Sequence, residues 1–363
     1  MQIPLVDVKA QYGPILGELK ERLAGVLDSG RFILGPEVAA FEREAAAYLG
    51  VERAVGVANG TDALVLALDA LGIGAGDEVV CPSFTFFATA EAIARVGARP
   101  VFADIDPATL NVDPADVAAK RSERTRAVLA VHLFGRPAPL GELPSDVQIV
   151  EDAAQAFGAT LDGARVGSLG RVATFSFFPT KNLFGLGDGG LAATNDAALA
   201  DRIRLLRFHG SRDKEVFEAL GYNSRLDELQ AAALRLFLGH VDEWNQARRA
   251  AAARYQELGL GDVCELPQDE PGHVYHVYAV RVRERERVVR ALREAEIGCV
   301  AYYSTPLHLQ PAFRRLGYEP GSLPETERAA AEMLALPLWP SIAEEQQRQV
   351  VERVRAAVTA RAA

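Results

Sequence analysis

Lys181 stands in the stretch Thr174-Phe-Ser176-Phe-Phe-Pro-Thr-Lys181-Asn-Leu-Phe-Gly-Leu-Gly-Asp-Gly-Gly190, an amine set among aromatic side chains and followed by a glycine-rich run. Apolar surroundings disfavour its ammonium form and leave a nucleophile ready to attack an aldehyde. The glycines let the backbone turn closely around a bulky ligand. A lysine near such a loop is ordinarily a solvated surface residue, so the segment needs company. Asp152 supplies some, ending the run Val147-Gln-Ile-Val-Glu-Asp152. A carboxylate there can cap a following helix, and Asp152-Ala-Ala-Gln155 has the form of a capping box. It can equally face a pyridine nitrogen and keep that ring cationic, with Gln155 one helical turn on and able to reach a ring hydroxyl. Asn59-Gly60-Thr61-Asp62 lies between an apolar run and a helical pattern. Gly60 lets the backbone approach an anion, Thr61 brings a hydroxyl, and the helix start brings free N–H groups and a positive dipole end. Plain capping by Thr61 or Asp62 is the competing reading. Ser176 offers a further phosphate contact. Phe86, within Pro82-Ser-Phe-Thr-Phe86-Phe-Ala-Thr89, can stack on a pyridine ring or pack into a core. Schiff-base amine, ring-nitrogen carboxylate and phosphate cradle are together what pyridoxal 5′-phosphate requires of a protein.

These residues are far apart in sequence, so the elements between them must bring them together. Short apolar runs alternate with helical patterns from residue 54 to about 195. Strands are expected at Ala54–Ala58, Glu78–Cys81, Arg99–Ala103, Arg126–Leu133, Val147–Glu151, Val172–Phe177 and Gly190–Thr194, with helices from Asp62 to Leu71 and near Thr89–Val96. Such alternation predicts an α/β fold with a mostly parallel sheet sandwiched by helices. Ligands of such sheets bind beyond the carboxyl ends of the strands, where Asn59, Asp152 and the Lys181 segment all fall. A long Ala-rich helical stretch, Leu226–Leu258, leads into a second, smaller α/β unit. Its strands are expected at Val274–Val282 and Val300–Tyr303, and its helices at Arg285–Glu296 and Ala343–Val358. The expected division is a large domain, 1–240, and a small C-terminal domain, 241–363.

Composition narrows the class. The chain has 363 residues, 49% of them apolar and 24% charged, as in a soluble globular protein. Its net charge of −10 argues against sequence-blind nucleic-acid binding, which depends on Lys and Arg neutralising phosphates. The three cysteines, Cys81, Cys264 and Cys299, form no CxxC pair, so neither a zinc site nor a disulfide framework is indicated. No apolar stretch reaches the ~18 residues of a membrane span, and the N-terminal residues lack a signal-peptide pattern. A reduced cytoplasm is the expected compartment. Gly185-Leu-Gly187-Asp-Gly-Gly190 satisfies the dinucleotide pattern GxGxxG but precedes a strand instead of following one, which argues against a dehydrogenase. His273-Val-Tyr-His276 reads as part of a strand, not a metal site.

The chain resembles, nearly end to end, the DegT/DnrJ/EryC1/StrS family of sugar aminotransferases, pyridoxal-phosphate enzymes of the aspartate aminotransferase fold (fold type I). The matching segments are Ser29-Gly-Arg-Phe-Ile-Leu-Gly-Pro-Glu37, Asn59-Gly-Thr-Asp-Ala-Leu64, Glu151-Asp-Ala-Ala-Gln-Ala-Phe-Gly158, Phe175-Ser-Phe-Phe-Pro-Thr-Lys181, Asn223-Ser-Arg-Leu-Asp-Glu-Leu-Gln230 and Tyr303-Ser-Thr-Pro-Leu-His308-Leu-Gln-Pro311. The resemblance implies that Lys181 is the Schiff-base lysine and proton shuttle, that Asp152 pairs with the pyridine nitrogen and Gln155 with the ring oxygen, and that Phe86 stacks on the ring. It implies that Gly60, Thr61 and Ser176 hold the phosphate together with Asn223 of the partner subunit, and hence a homodimer with shared active sites. Phe32, Tyr303 and His308 match segments that line the substrate pocket in relatives, and His209, in Arg207-Phe-His209-Gly-Ser, is a further candidate.

A dehydratase branch of the family carries histidine where this chain has Lys181, so aminotransfer is favoured. The implied reaction is ping-pong: glutamate gives its amino group to the cofactor, leaving pyridoxamine phosphate, and a nucleotide-linked keto-hexose then takes it. Asp62 within Asn-Gly-Thr-Asp resembles members acting on 3-keto sugars, dTDP- or UDP-linked, with 4-keto sugars as the alternative. A non-catalytic, cofactor-binding regulator is the remaining reading, and no basic stripe or DNA-binding extension supports it.

Overall fold

The computed structural model describes residues 2–359. Among the described residues eleven strands follow one another: β1 (Arg53–Val57), β2 (Glu78–Pro82), β3 (Arg99–Ala103), β4 (Thr125–Val131), β5 (Gln148–Asp152), β6 (Thr160–Leu161), β7 (Ala164–Arg165), β8 (Val172–Ser176), β9 (Gly190–Thr194), β10 (Tyr278–Arg281) and β11 (Met333–Leu336). Seven build one sheet in the order β1-β9-β8-β5-β4-β2-β3. Only β9 runs against its neighbours, β1 and β8; the other pairings, β8-β5-β4-β2-β3, are parallel. The expected mostly parallel sheet is therefore what forms.

The reason lies in burial on both faces. Val55, Val57, Val150 and Val172 point into a core shared with the helices Gly60–Ala70, Ala88–Arg95 and Ala197–Arg207. Ala54, Ala173, Phe175 and Leu191 point the other way, into a core with the helices Pro36–Leu49 and Glu228–Leu238. A strand covered on both sides has no polar face, and so reads as the continuous apolar run that parallel sheets require. A third core joins β10 and β11, which pair antiparallel, to the helices Arg285–Glu294 and Glu344–Thr359. Ile3 packs into this same core, and its neighbour Leu5 accepts from Leu338 N–H at 3.1 Å, so the first residues lie with the C-terminal third. The helix Val241–Glu257 spans the join, giving Trp244 to the second core and Ala251, Ala252 and Tyr255 to the third.

The helix-rich stretch Leu226–Leu258 resolves into two helices, Glu228–Leu238 and Val241–Glu257, parted at Gly239-His240. One expectation needs correction. Val300–Tyr303 is not a strand: Val300 makes a single bridge to Ala335 and the chain then turns away. The strand that pairs with β10 is instead Met333–Leu336, four apolar residues directly after the helix Pro324–Glu332. Among the described residues, no helix is long and apolar enough to cross a membrane.

Candidate active site

At the end of β5, Glu151 and Asp152 are sequence neighbours with opposite surroundings, because successive strand residues face opposite sides of the sheet. Glu151 is fully buried and accepts from the N–H groups of Gly167 (2.8 Å), Leu169 (3.0 Å) and Gly170 (2.6 Å). It also pairs with His132 Nε2 at 3.1 Å; His132 Nδ1 accepts from Ala138 N–H, which leaves the ring hydrogen on Nε2. Burial alone would raise the Glu151 pKa, but the hydrogen bonds from His132 and from the N–H groups of Gly170 and Gly167 hold it below the usual range. This carboxylate is a structural clamp on the turn before β8.

Asp152 faces the site. Its Oδ2 accepts from Thr89 Oγ1 at 2.8 Å and its Oδ1 from Ala154 N–H at 3.3 Å. Burial raises its pKa, opposed by those two hydrogen bonds and by the charge of Lys181. No helix follows it, so Asp152-Ala-Ala-Gln155 is a turn and not a capping box. Gln155 nonetheless comes to the site: its Oε1 accepts from Phe134 N–H at 2.8 Å and its Nε2 donates to the Tyr303 hydroxyl at 3.0 Å. Tyr303 also lies near the rings of Phe84, Phe86 and Phe134, with centroids 5.8, 6.5 and 6.3 Å away. Phe86 itself is 58% exposed, its ring free to receive another.

The Lys181 turn is fixed from several sides. Lys181 N–H donates to Phe178 C=O at 2.8 Å, and Asn182 Nδ2 donates to Asn245 Oδ1 and Val274 C=O. Further along, Leu186 N–H donates to Gln230 Oε1 at 2.7 Å. Burial lowers the Lys181 amine to about 8, with Asp152 pulling the other way. That favours the neutral nucleophile at a pH where a surface lysine is protonated.

The cradle forms where a helix start meets a strand end. The helix is Gly60–Ala70, beginning two residues earlier than expected, and its cap is Asn59, whose Oδ1 accepts from Asp62 N–H at 2.8 Å; neither Thr61 nor Asp62 caps it. As first-turn residues, Gly60 and Thr61 have N–H groups without a partner inside their own helix. A Cβ on Gly60 would lie 2.6 Å from Ser176 Cβ, and one on Gly190 would run into the Asn59 carbonyl, so both glycines allow the close approach. Ser176 is thereby set against Gly60.

Four more of the residues singled out in the sequence have these surroundings. His308 is buried with both ring nitrogens engaged, Nδ1 with Ser83 Oγ at 2.7 Å and Nε2 with Glu327 at 3.2 Å. It ties the end of β2 to the helix Pro324–Glu332 and has no ring nitrogen left for a substrate. His209 is exposed, its backbone N–H held by Tyr222 C=O, and none of its contacts joins it to Lys181 or Asp152. Phe32 is 45% exposed near the start of the helix Pro36–Leu49. Asn223 is exposed and lines a cavity of about 340 Å³ with Ile33, Ala58, Asp188, Arg225, Asp227 and Gln230. Three features of the site are not legible in the sequence. Thr89 shows there only as the end of an aromatic segment and the start of an expected helix. The partnership of Glu151 with His132 had no local signal. His276, taken for a strand residue, precedes β10 and puts Nε2 3.5 Å from Lys181 Nζ.

The residues present fit pyridoxal 5′-phosphate: a buried amine and carboxylate, an exposed aromatic ring, and a helix start closed by glycine against a serine. The model of the DegT/DnrJ/EryC1/StrS aminotransferase family matches residues 15–355. A relative named as a pleiotropic regulatory protein, from Geobacillus stearothermophilus, is 47% identical over 98% of this chain and 98% of its own. A dTDP-3-amino-3,4,6-trideoxy-alpha-D-glucose transaminase of Streptomyces venezuelae is 43% identical over 98% of this chain and 96% of its own. The crystal structure of S. venezuelae DesV in complex with a ketimine intermediate matches with a TM-score of 0.95 and 43% identity, covering 99% of each chain. By sequence and by fold alike, the chain is a member of the DegT/DnrJ/EryC1/StrS aminotransferase family.

Proposed function

We propose that this protein is a pyridoxal-phosphate-dependent aminotransferase that moves an amino group from glutamate to a dTDP- or UDP-linked 3-keto-hexose. The observation that carries this reading is the electrostatic pairing of a buried amine shifted toward its neutral form with the buried carboxylate that ends β5, in a chain whose Gly60 and Ser176 close on one another. Asp152 would hold the ring nitrogen, Gln155 the ring oxygen through the second hydrogen of Nε2, and Phe86 the ring face. Gly60, Thr61 and Ser176 would hold the phosphate. Bound there, the cofactor supplies an electron sink for a carbanion at the donor's α-carbon. Lys181 is the group that anchors the cofactor and, once released, takes up and delivers protons at Nζ. Tyr303, whose hydroxyl accepts from Gln155 Nε2, would face the substrate.

The 3-keto preference is supported by Asp62 in the first turn of the cradle helix and by the transaminase relative, whose name carries a 3-amino sugar. We further propose a cytoplasmic homodimer in which Asn223 of the partner subunit completes the phosphate site. Its support is the exposure of Asn223 together with that of Phe32, Ile33, Val216, Phe217 and Leu220.

The test is turnover of a panel of dTDP- and UDP-linked 3-keto and 4-keto sugars with glutamate, read as amino-sugar formation by mass spectrometry. Turnover of a 3-keto member, lost in Lys181→Ala, is expected; faster turnover of the 4-keto members would overturn the positional assignment. The relative named as a regulatory protein supports a second reading, cofactor binding without catalysis. Its signature is a loaded protein that makes no amino sugar from any panel member.

A further inference from the structure

His276 has no part in the chemistry described above, yet it meets the Lys181 amine from the C-terminal third. Its Nε2 is 3.5 Å from Lys181 Nζ, at the outer limit of a hydrogen bond. The imidazole is 8% exposed, and its Nδ1 is buried with no protein partner. The ring borders a cavity of about 240 Å³ shared with Thr180, Tyr278, Tyr302, Leu336 and Leu338.

The charged groups around the pair set its direction. His276 is pressed below the usual imidazole range first by burial, then by the positive charges of Lys181 and Arg248, and so stays neutral. Arg248 is itself fully buried, with Nη atoms 3.4 Å from Leu338 C=O and from Gln11 Oε1. On its other side Lys181 has the Asp152 carboxyl. A neutral imidazole offers one acceptor and one donor, whereas an ammonium only donates. Nε2 is therefore the acceptor toward Lys181 and Nδ1 carries the hydrogen.

We propose that His276 is a positioning residue for Lys181: its Nε2 accepts a hydrogen bond from Nζ and holds the amine in place whenever the amine is not joined to the cofactor. The assignment rests on Lys181 being the cofactor-anchoring lysine. It separates the two partners of that amine by task, Asp152 supplying charge and His276 direction. A freely rotating lysine stem has many rotamers to search, and a fixed acceptor removes part of that search before each attack.

The test compares His276→Gln with His276→Asn in the full chain. Glutamine reaches the Nε2 position with an amide group; asparagine reaches only Nδ1. The readouts are the rate at which cofactor-free protein captures added pyridoxal phosphate, followed by absorbance across pH, and kcat and KM for both substrates. His276→Asn is expected to capture the cofactor about tenfold more slowly, the scale of one lost hydrogen bond. Its capture midpoint should fall, because the lost acceptor favoured the ammonium. Its kcat should drop by a similar factor with both KM values within twofold, and His276→Gln should stay within threefold of the parent throughout. Parent-like capture by His276→Asn, or equal damage in both variants, would overturn the proposal. Melting temperatures that collapse in both would overturn it too, by assigning His276 to the fold. Capture by Lys181→Ala at the parent rate is a separate outcome, and would remove the underlying reading of Lys181 instead.

Discussion

At the scale of single residues, the site rests on moving ionisable groups away from their ordinary ranges, and that has a consequence for stability. Burial lowers Lys181 from 10.5 to about 8. Between those values the unfolded chain carries a proton on this amine that the folded, cofactor-free protein does not. Stability contributed by this group therefore rises with pH across that window, and the cost of burying the ammonium is fully present below it. Lys181→Met removes the cost. The cofactor-free variant is expected to be more stable than the parent near neutral pH, with the gap closing as pH approaches 10. Urea unfolding at several pH values checks this; a gap that stays constant or widens would contradict the shift. Asp152 and Lys181 were legible in the sequence because their residue types have few uses at the end of a strand or beside a glycine run. His308 was not, since its partners Ser83 and Glu327 are fixed only by the fold, and Ser83 is 225 positions away. A histidine in a matching segment looks the same whether its nitrogens are free or engaged.

At the scale of elements, the site depends on how closely the helix Gly60–Ala70 approaches the ends of β8 and β9. The strands of the seven-stranded sheet were readable because both of its faces are covered, and β3 and β9 fall where the apolar runs placed them. The failures came where a short run is ambiguous. Val300–Tyr303 has the composition of a strand but breaks off to bring Tyr303 under Gln155. Met333–Leu336 follows a helix without punctuation, so its change of conformation is set by pairing with β10. The close approach itself yields a prediction through Gly60→Ala. Within a helix the exchange should stabilise by about 0.5–1 kcal/mol, but here the added methyl meets Ser176 Cβ at 2.6 Å. The helix start and the strand end must then separate, which pulls the hydroxyl of Ser176 away from the N–H groups opposite. Cofactor affinity is expected to fall about tenfold or more, the scale of one or two hydrogen bonds to a charged group, while the melting temperature of the cofactor-free protein moves little. Equilibrium dialysis against pyridoxal phosphate measures the first, and unchanged affinity would show that the cradle is looser than its contacts imply.

At the scale of the whole molecule, one chain gathers the amine, the carboxylate and the ring contacts between its sheet and its C-terminal third, and leaves Asn223 exposed beside Ala58 and Asp188. The β-bridge between Phe208 and Asn223 and the hydrogen bond from Ala58 N–H to Ser224 Oγ hold this loop against the end of β1. Its direction is thus a property of the fold and not of a free tail. If Asn223 serves the neighbouring subunit, defects in Lys181 and Asn223 must complement one another. A Lys181→Ala homodimer lacks the amine in both sites, and an Asn223→Ala homodimer lacks the phosphate contact in both. In a mixed dimer, one site collects both defects and the other collects neither. Random exchange makes half of the dimers mixed, each with one intact site of two, so activity should return to about one quarter of the parent value in a two-fold symmetric assembly. Activity after co-refolding, set against the sum of the separate homodimers, decides the matter. If Asn223 acts within its own chain, every site keeps the defect of the chain that forms it, and mixing adds nothing.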